Sequence, residues 1–257
     1  MKITILGCGG AGGVPLVGNV WGNCDPSEPR NRRTCVSILV EEAGQTLLVD
    51  TSPDMREQLL RTKVRDLTAI LYTHSHADHT HGIDNIRSLN WLLDRSIPLY
   101  ADPATMQELK TRFAYIFESD RPANARFYRP SVETHLITPG EPFAFGSVKV
   151  QAFGQPHGKM TSMGYRFNDF GYSTDVAELT DEAFSILKGV KVWVVDAIRE
   201  RPHHTHASVD MALEWIERVQ PERAYLIHMD QSLDYGKLKA RLPAHVEPCY
   251  DGLTIEC

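Results

Sequence analysis

Apolar residues fall along this chain in short blocks separated by glycine, proline and acidic residues, a spacing that predicts many short β-strands. The blocks cover residues 3–6, 35–40, 46–49, 69–72 and 98–100, then 148–153, 163–167, 192–195, 224–227 and 253–255. Helical stretches are expected between them. Ser52-Pro53 reads as a capping hydroxyl with proline at the first helical position, opening a helix over 54–60. Val209, Leu213, Ile216 and Val219 recur at helical spacing and stop at Gln220-Pro221, so that stripe is read as core packing.

Strands interleaved with helices in two separated groups suggest an α/β (α+β) layout of two sheets face to face, each covered outside by helices. The pattern alone leaves other α/β layouts open. With 257 residues the chain is long enough to bury a substantial core, as one large domain or two small ones. The segments near Arg121-Pro122 and Arg129-Pro130 read as a loop or insertion bordering a cleft.

One segment carries more chemistry than a core or a surface needs. Thr73-His74-Ser75-His76-Ala77-Asp78-His79 follows the apolar run 69–72 directly, placing three imidazoles and a carboxylate at a strand end. A histidine-rich loop can be a solvated turn, but this one has partners downstream that also close strand-like runs. They are His157, Asp175 and His228. Nitrogen and oxygen donors converging from several strand ends suit borderline divalent metals, and two ions are easier to serve with this number of donors than one.

These residues, in this order, resemble the metallo-β-lactamase-fold hydrolases across nearly the whole chain. The resemblance implies a four-layer αβ/βα sandwich over a single domain, 1–257, with metals at one edge between the halves. By the same resemblance His74, His76 and His157 hold a first metal, Asp78, His79 and His228 a second, and Asp175 bridges. Asp50, closing Leu47-Leu48-Val49-Asp50, orients the ligand loop through hydrogen bonds without binding metal. The expected cofactors are two divalent ions, zinc first, with manganese or iron accepted by the same ligands.

Gly7-Cys8-Gly9-Gly10-Ala11-Gly12-Gly13-Val14-Pro15 resembles the opening of the phosphodiesterase branch, which includes the phosphoribosyl cyclic phosphate phosphodiesterases and, more distantly, transfer-RNA 3′-processing endonucleases. That branch implies a phosphate-contacting acid at His206, within Thr205-His206-Ala207-Ser208. Asp78 and His206 are the catalytic candidates. His203 and His204 compete for the same role, while His81, His135 and His245 are expected to be ordinary loop residues. The branch also has relatives with a separate structural zinc on three cysteines and a histidine. Here those positions are Asn19, Trp21, Cys24 and Gln231, so no structural zinc is expected and Cys24 is read as an inert thiol.

Composition narrows the partners. A formal charge of −6 with no long basic run argues against a large nucleic acid, and the resemblance to the phosphodiesterase branch implies a small phosphodiester or nucleotide-like substrate. Arg32, Arg33 and Arg199 are candidate phosphate contacts, with a solvated surface as their default. Five cysteines, an odd number without framework spacing, fit a reduced cytoplasmic compartment. The chain shows neither a membrane span nor a signal-peptide pattern at residues 1–7, which read as a first strand. A homodimer is the common outcome among soluble oligomers.

The expected reaction is hydrolysis of a small phosphodiester by a water shared between the two ions, with His206 protonating the leaving oxygen. The alternatives are a thioester or acyl hydrolase of the same fold, and a non-catalytic module that keeps a nucleotide or phosphate without turnover. An endonuclease would be expected to carry a basic arm, and a redox di-iron site a carboxylate where Ser75 stands.

Overall fold

The computed structural model describes residues 1–118 and 128–257, so the expected loop at Arg121-Pro122 lies outside the described residues. Its strands are β1 (Lys2–Gly7), β2 (Ser37–Glu42), β3 (Gln45–Val49), β4 (Ala69–Leu71), β5 (Ile97–Ala101), β6 (Val132–Leu136) and β7 (Pro142–Phe145). They continue with β8 (Val148–His157), β9 (Met160–Phe167), β10 (Phe170–Ser173), β11 (Val192–Asp196), β12 (Arg223–Ile227), β13 (Val246–Pro248) and β14 (Thr254–Glu256). The helices are α1 (Met55–Thr62), α2 (Ala77–Thr80), α3 (Ile86–Leu93), α4 (Pro103–Arg112), α5 (Ala114–Phe117), α6 (Asp181–Leu187), α7 (Val209–Val219) and α8 (Tyr235–Lys239).

The strands form two seven-stranded sheets, ordered β14-β1-β2-β3-β4-β5-β6 and β13-β12-β11-β10-β9-β8-β7. Each sheet is built to the same plan. Antiparallel pairing joins β14, β1, β2 and β3, then parallel pairing joins β3 to β4, β5 and β6. In the second sheet β7 to β10 are antiparallel, and β10 to β13 parallel. A parallel step requires a crossover, and helices supply every one: α1 to α5 in the first half and α6 to α8 in the second.

The continuous apolar blocks follow from burial on both faces. Successive strand residues point to opposite sides. In β3, Leu47 and Val49 enter the core shared with Val150 and Tyr165 of the other sheet, while Leu48 turns to Met55 and Leu59 of α1. In β4, Ala69 and Leu71 face inward and Ile70 outward. On the far side, Ala212 and Ile216 of α7 pack on the second sheet, completing the αβ/βα sandwich.

Strands β6, β7 and β13 fall outside both the expected blocks and the run that closes on Asp175. All are edge strands, and β6 is largely exposed, so polar residues are tolerated there. The start of α1 is also corrected. The helix begins at Met55, not at residue 54, and the Ser52 hydroxyl accepts from Asp54 N in the preceding turn. The Asp54 carboxylate is spent on Cys35 N, 2.9 Å away, so the helix has no side-chain cap. At α7, Ser208 does cap the helix by accepting from Met211 N.

Candidate metal centre

The site lies where strand ends of the two sheets meet. Asp50, one residue beyond β3, is fully buried with φ of 64°, a left-handed turn that directs its side chain back at the loop after β4. Its Oδ1 accepts from Thr73 N at 2.8 Å, and its Oδ2 accepts from Thr73 Oγ1 at 2.8 Å and His79 Nδ1 at 2.7 Å. Both ends of the 73–79 loop are therefore fixed by one carboxylate. Since Thr73 Oγ1 donates to Asp50, it is free to accept from His74 Nδ1, 3.0 Å away.

These bonds decide which nitrogen each ring offers. His74 and His79 each commit Nδ1 to the loop, leaving Nε2 buried without a hydrogen-bond partner. His157, the last residue of β8, donates Nδ1–H to Thr205 O at 2.6 Å, so its Nε2 carries the lone pair and lies 3.2 Å from His76 Nδ1. His228 follows β12 with φ of 62°, and its Nε2 is likewise unpartnered.

Asp175, two residues beyond β10, also has a left-handed backbone, with φ of 53°. One oxygen, Oδ1, lies 3.7 Å from His74 Nε2 and 3.6 Å from His157 Nε2. The other, Oδ2, lies 3.1 Å from His79 Nε2 and 3.4 Å from His228 Nε2. Asp78 Oδ2 stands 3.4 Å from His79 Nε2 and 3.5 Å from His228 Nε2. Two donor groups result, His74/His76/His157/Asp175 and Asp78/His79/Asp175/His228, each with its atoms within 4.8 Å. Buried imidazole nitrogens without partners, arranged around shared carboxylates, fit divalent cations, and each group has the nitrogen-and-oxygen chemistry of such sites.

The charges oppose one another strongly. Burial pulls His79 down, but the carboxylates of Asp175, Asp78 and Asp50 overcome it and hold the ring well above the usual histidine range. Burial also pulls His228 down, and Asp175, Asp78 and Asp196 outweigh it, raising it to about 9. Burial of Asp175 favours its neutral form, yet His228, His79 and His74 keep the carboxyl well below the usual range. Burial dominates at His74, which is lowered well below an ordinary histidine.

His206 joins the same centre. It is buried, its ring stacks on His228 with centroids 4.7 Å apart, and its Nε2 lies 3.8 Å from Asp175 Oδ1. His203 and His204 are set further out. His203 Nδ1 accepts from Thr205 N and lies near Thr205 Oγ1, while exposed His204 stacks on His203. His81 and His245 are exposed, and His135 stacks on Tyr100.

The sequence reading passed over Asp196, whose Oδ2 accepts from His206 Nδ1 at 2.9 Å. The signal was available, because Asp196 ends the apolar run 192–195 just as Asp50 ends its own. Thr73 and Thr205 were also missed as supports; hydroxyl and carbonyl partners leave no distinctive pattern in a sequence.

Around the rim, the default assumed for Arg33 is corrected. It is buried, with Nη1 donating to Asp230 O at 3.0 Å and Nη2 to Leu233 O at 2.6 Å, so it braces the loop after β12. Arg199 is spent on the carbonyls of Arg201 and Pro202. Cys24 is buried, its thiol 3.3 Å from Leu233 O, and burial raises its pKa against the influence of Arg33. All five cysteines are free thiols. The glycine-rich turn packs against the centre: a Cβ on Gly10 would lie 3.5 Å from His228 Cε1, and one on Gly7 only 2.1 Å from Cys35 O. No helix among the described residues is long and apolar enough to cross a membrane.

Residues 45–229 match the beta-lactamase superfamily domain. The solved structure of a new diphosphatase from the PhnP family is 32% identical, covers all of this chain and 97% of its own, and superposes with a TM-score of 0.89. The chain belongs to the β-lactamase superfamily, in its metallo-β-lactamase fold, and within it to the PhnP family. Among curated relatives, an octanoyltransferase of Porphyromonas gingivalis is 28% identical over 98% of this chain and 51% of its own length. A ribonuclease Z of Treponema denticola is 27% identical over 66% of this chain and 49% of its own. The chain thus spans about half the length of these curated relatives.

Proposed function

We propose that this protein is a metal-dependent hydrolase of small phosphodiesters or diphosphates, using two divalent ions. One observation carries the reading: the two oxygens of Asp175 face different donor groups, one holding the unpartnered Nε2 of His74 and the other those of His79 and His228. His74, His76 and His157 would hold one ion, Asp78, His79 and His228 the other, and Asp175 both. The expected occupants are zinc, manganese or iron. Such ions, when bound, supply Lewis acidity toward a phosphoryl oxygen and a nucleophile from water at neutral pH.

The protein's own groups do the rest. Asp50 and Thr73 hold the donor loop in one conformation, so no reorganisation is needed when charge develops on the substrate. Asp196 holds His206 by Nδ1, which turns Nε2 toward the Asp175 side of the centre. Protonated there, His206 donates to the departing oxygen. An alkoxide leaving group needs that proton; a stabilised phenolate needs it little. The PhnP-family diphosphatase and the ribonuclease Z support phosphoryl chemistry, and the net charge of −6 favours a small substrate over RNA.

The test is hydrolysis of bis(p-nitrophenyl) phosphate by zinc- or manganese-loaded protein beside a chelated sample. Chelator-sensitive turnover supports the reading; inactivity of fully metallated protein on this ester, on a ribose cyclic phosphate and on a nucleoside diphosphate ester sinks it. The octanoyltransferase relative, of which this chain matches 51%, points to acyl chemistry, and the second reading is hydrolysis of an acyl thioester. A thiolate leaves without an acid, its pKa being about 8.5. Thioester turnover that survives His206→Ala, with no phosphodiester turnover in the wild type, would decide for it.

A further inference from the structure

The Asp196 carboxylate stands between two imidazoles, and only one of its oxygens is engaged. Oδ2 accepts from His206 Nδ1 at 2.9 Å and from Val176 N at 3.0 Å. Oδ1 lies 4.0 Å from His228 Nδ1. Both of these atoms are buried, and neither has a hydrogen-bond partner. Two unsatisfied polar atoms facing one another inside a protein are rare, because each gives up its water for nothing.

We infer that Asp196 is a positioning residue for both rings, fixing His206 through Oδ2 and His228 through Oδ1. The inference rests on reading His228 as a metal ligand. An imidazole that offers Nε2 to a cation keeps its proton on Nδ1, and that proton is held by an acceptor around the site. Asp196 Oδ1 is the acceptor that faces it, and a shift of about 1 Å closes the gap to hydrogen-bond length. Thr205 O already does the same for His157 at 2.6 Å. The segment that carries His206 would then support one ligand in each donor group, tying the acid's placement to metal retention.

Asp196→Asn separates the two arms. Val176 N–H and His206 Nδ1–H both demand an oxygen at the Oδ2 position, so the amide NH2 is forced to the other side. There it meets His228 Nδ1–H, donor against donor. Chelator-competition titration with zinc should show one of two sites weakened by about 10–100-fold in this variant, with the other unchanged. His206→Ala should bind both ions like the wild type. An Asp196→Asn chain that binds both zincs as tightly as the wild type overturns the inference. So does a third zinc in the wild type that this variant loses, since Asp196, His206 and His228 also have donor atoms within 4.8 Å and would then be ligands. A second measurement needs no variant to fold. Histidine 15N spectra of the zinc-loaded wild type should show His228 protonated and hydrogen-bonded at Nδ1; a bare Nδ1 overturns the inference. The readout is metal affinity, so loss of the phosphodiesterase reading alone would leave it standing, whereas failure to bind zinc at all would sink both.

Discussion

In the first sheet a single strand end, after β4, carries His74, His76, Asp78 and His79 inside the segment 74–79, and one carboxylate, Asp50, fixes both ends of that loop. In the second sheet the donors come from the ends of three different strands, β8, β10 and β12, and His157 and Asp175 each have a support of their own. His157 leans on Thr205 O, while Asp175 takes a hydrogen bond from Thr174 Oγ1 to its carboxylate and one from Ser162 Oγ to its carbonyl. Two sheets of the same plan thus supply one centre, one by a shared support and the other by separate ones. A fault in the first half should spread to both donor groups, whereas a fault in the second should stay local, except at Asp175.

That exception sets the largest expected effect. Asp175→Ala removes a donor from both groups at once and takes the facing carboxylate from five imidazole nitrogens, the Nε2 atoms of His74, His79, His157, His206 and His228. Turnover of a phosphodiester should fall by on the order of 10³-fold or more, with metal content measured alongside by elemental analysis. Full activity in this variant would break the idea of one shared centre.

His206→Ala comes next. Its loss should be about 10²–10⁴-fold on a substrate with an alkoxide leaving group and far smaller on bis(p-nitrophenyl) phosphate. Equal losses on the two would mean that His206 acts otherwise than as an acid.

Asp50→Asn sharpens the comparison directly. It should weaken zinc binding at both sites by about 10–100-fold, because His79 belongs to one group and His74, held through Thr73, to the other. Weakening confined to one site would show that Asp50 supports one ring and does not govern the loop.

The same contrast explains what could be read from the sequence. The 74–79 cluster is contiguous and announces itself, His157, Asp175 and His228 were found because each lies at the end of a strand-like run, and Asp50 came in through the family resemblance. Asp196 closes one too, yet a carboxylate at a strand end is so ordinary that only the ring beside it reveals its use. Edge strands such as β6 escaped because exposure lets polar residues enter them. Arg33 looked like a surface cation, since nothing in its neighbours announces the carbonyls of Asp230 and Leu233 that the fold brings to it.

The smallest expected effect concerns the metal-free protein. His228, raised from 6.5 to about 9 by the net pull of its carboxylate neighbours over burial, binds a proton more tightly folded than unfolded. Its contribution to stability is therefore complete below the unfolded value and is lost as pH rises through about 9. A divalent ion needs the neutral ring and must displace that proton, so zinc affinity should change in the opposite sense, rising over the same window. Thermal unfolding of chelated protein from pH ~6 to ~10 should show a Tm that declines toward the alkaline end by a few degrees, with zinc-loaded protein failing to follow it. A parallel decline in both samples would mean that the proton on His228 and the metal do not compete for one position, and the donor group of Asp78, His79, Asp175 and His228 would have to be redrawn without that ring.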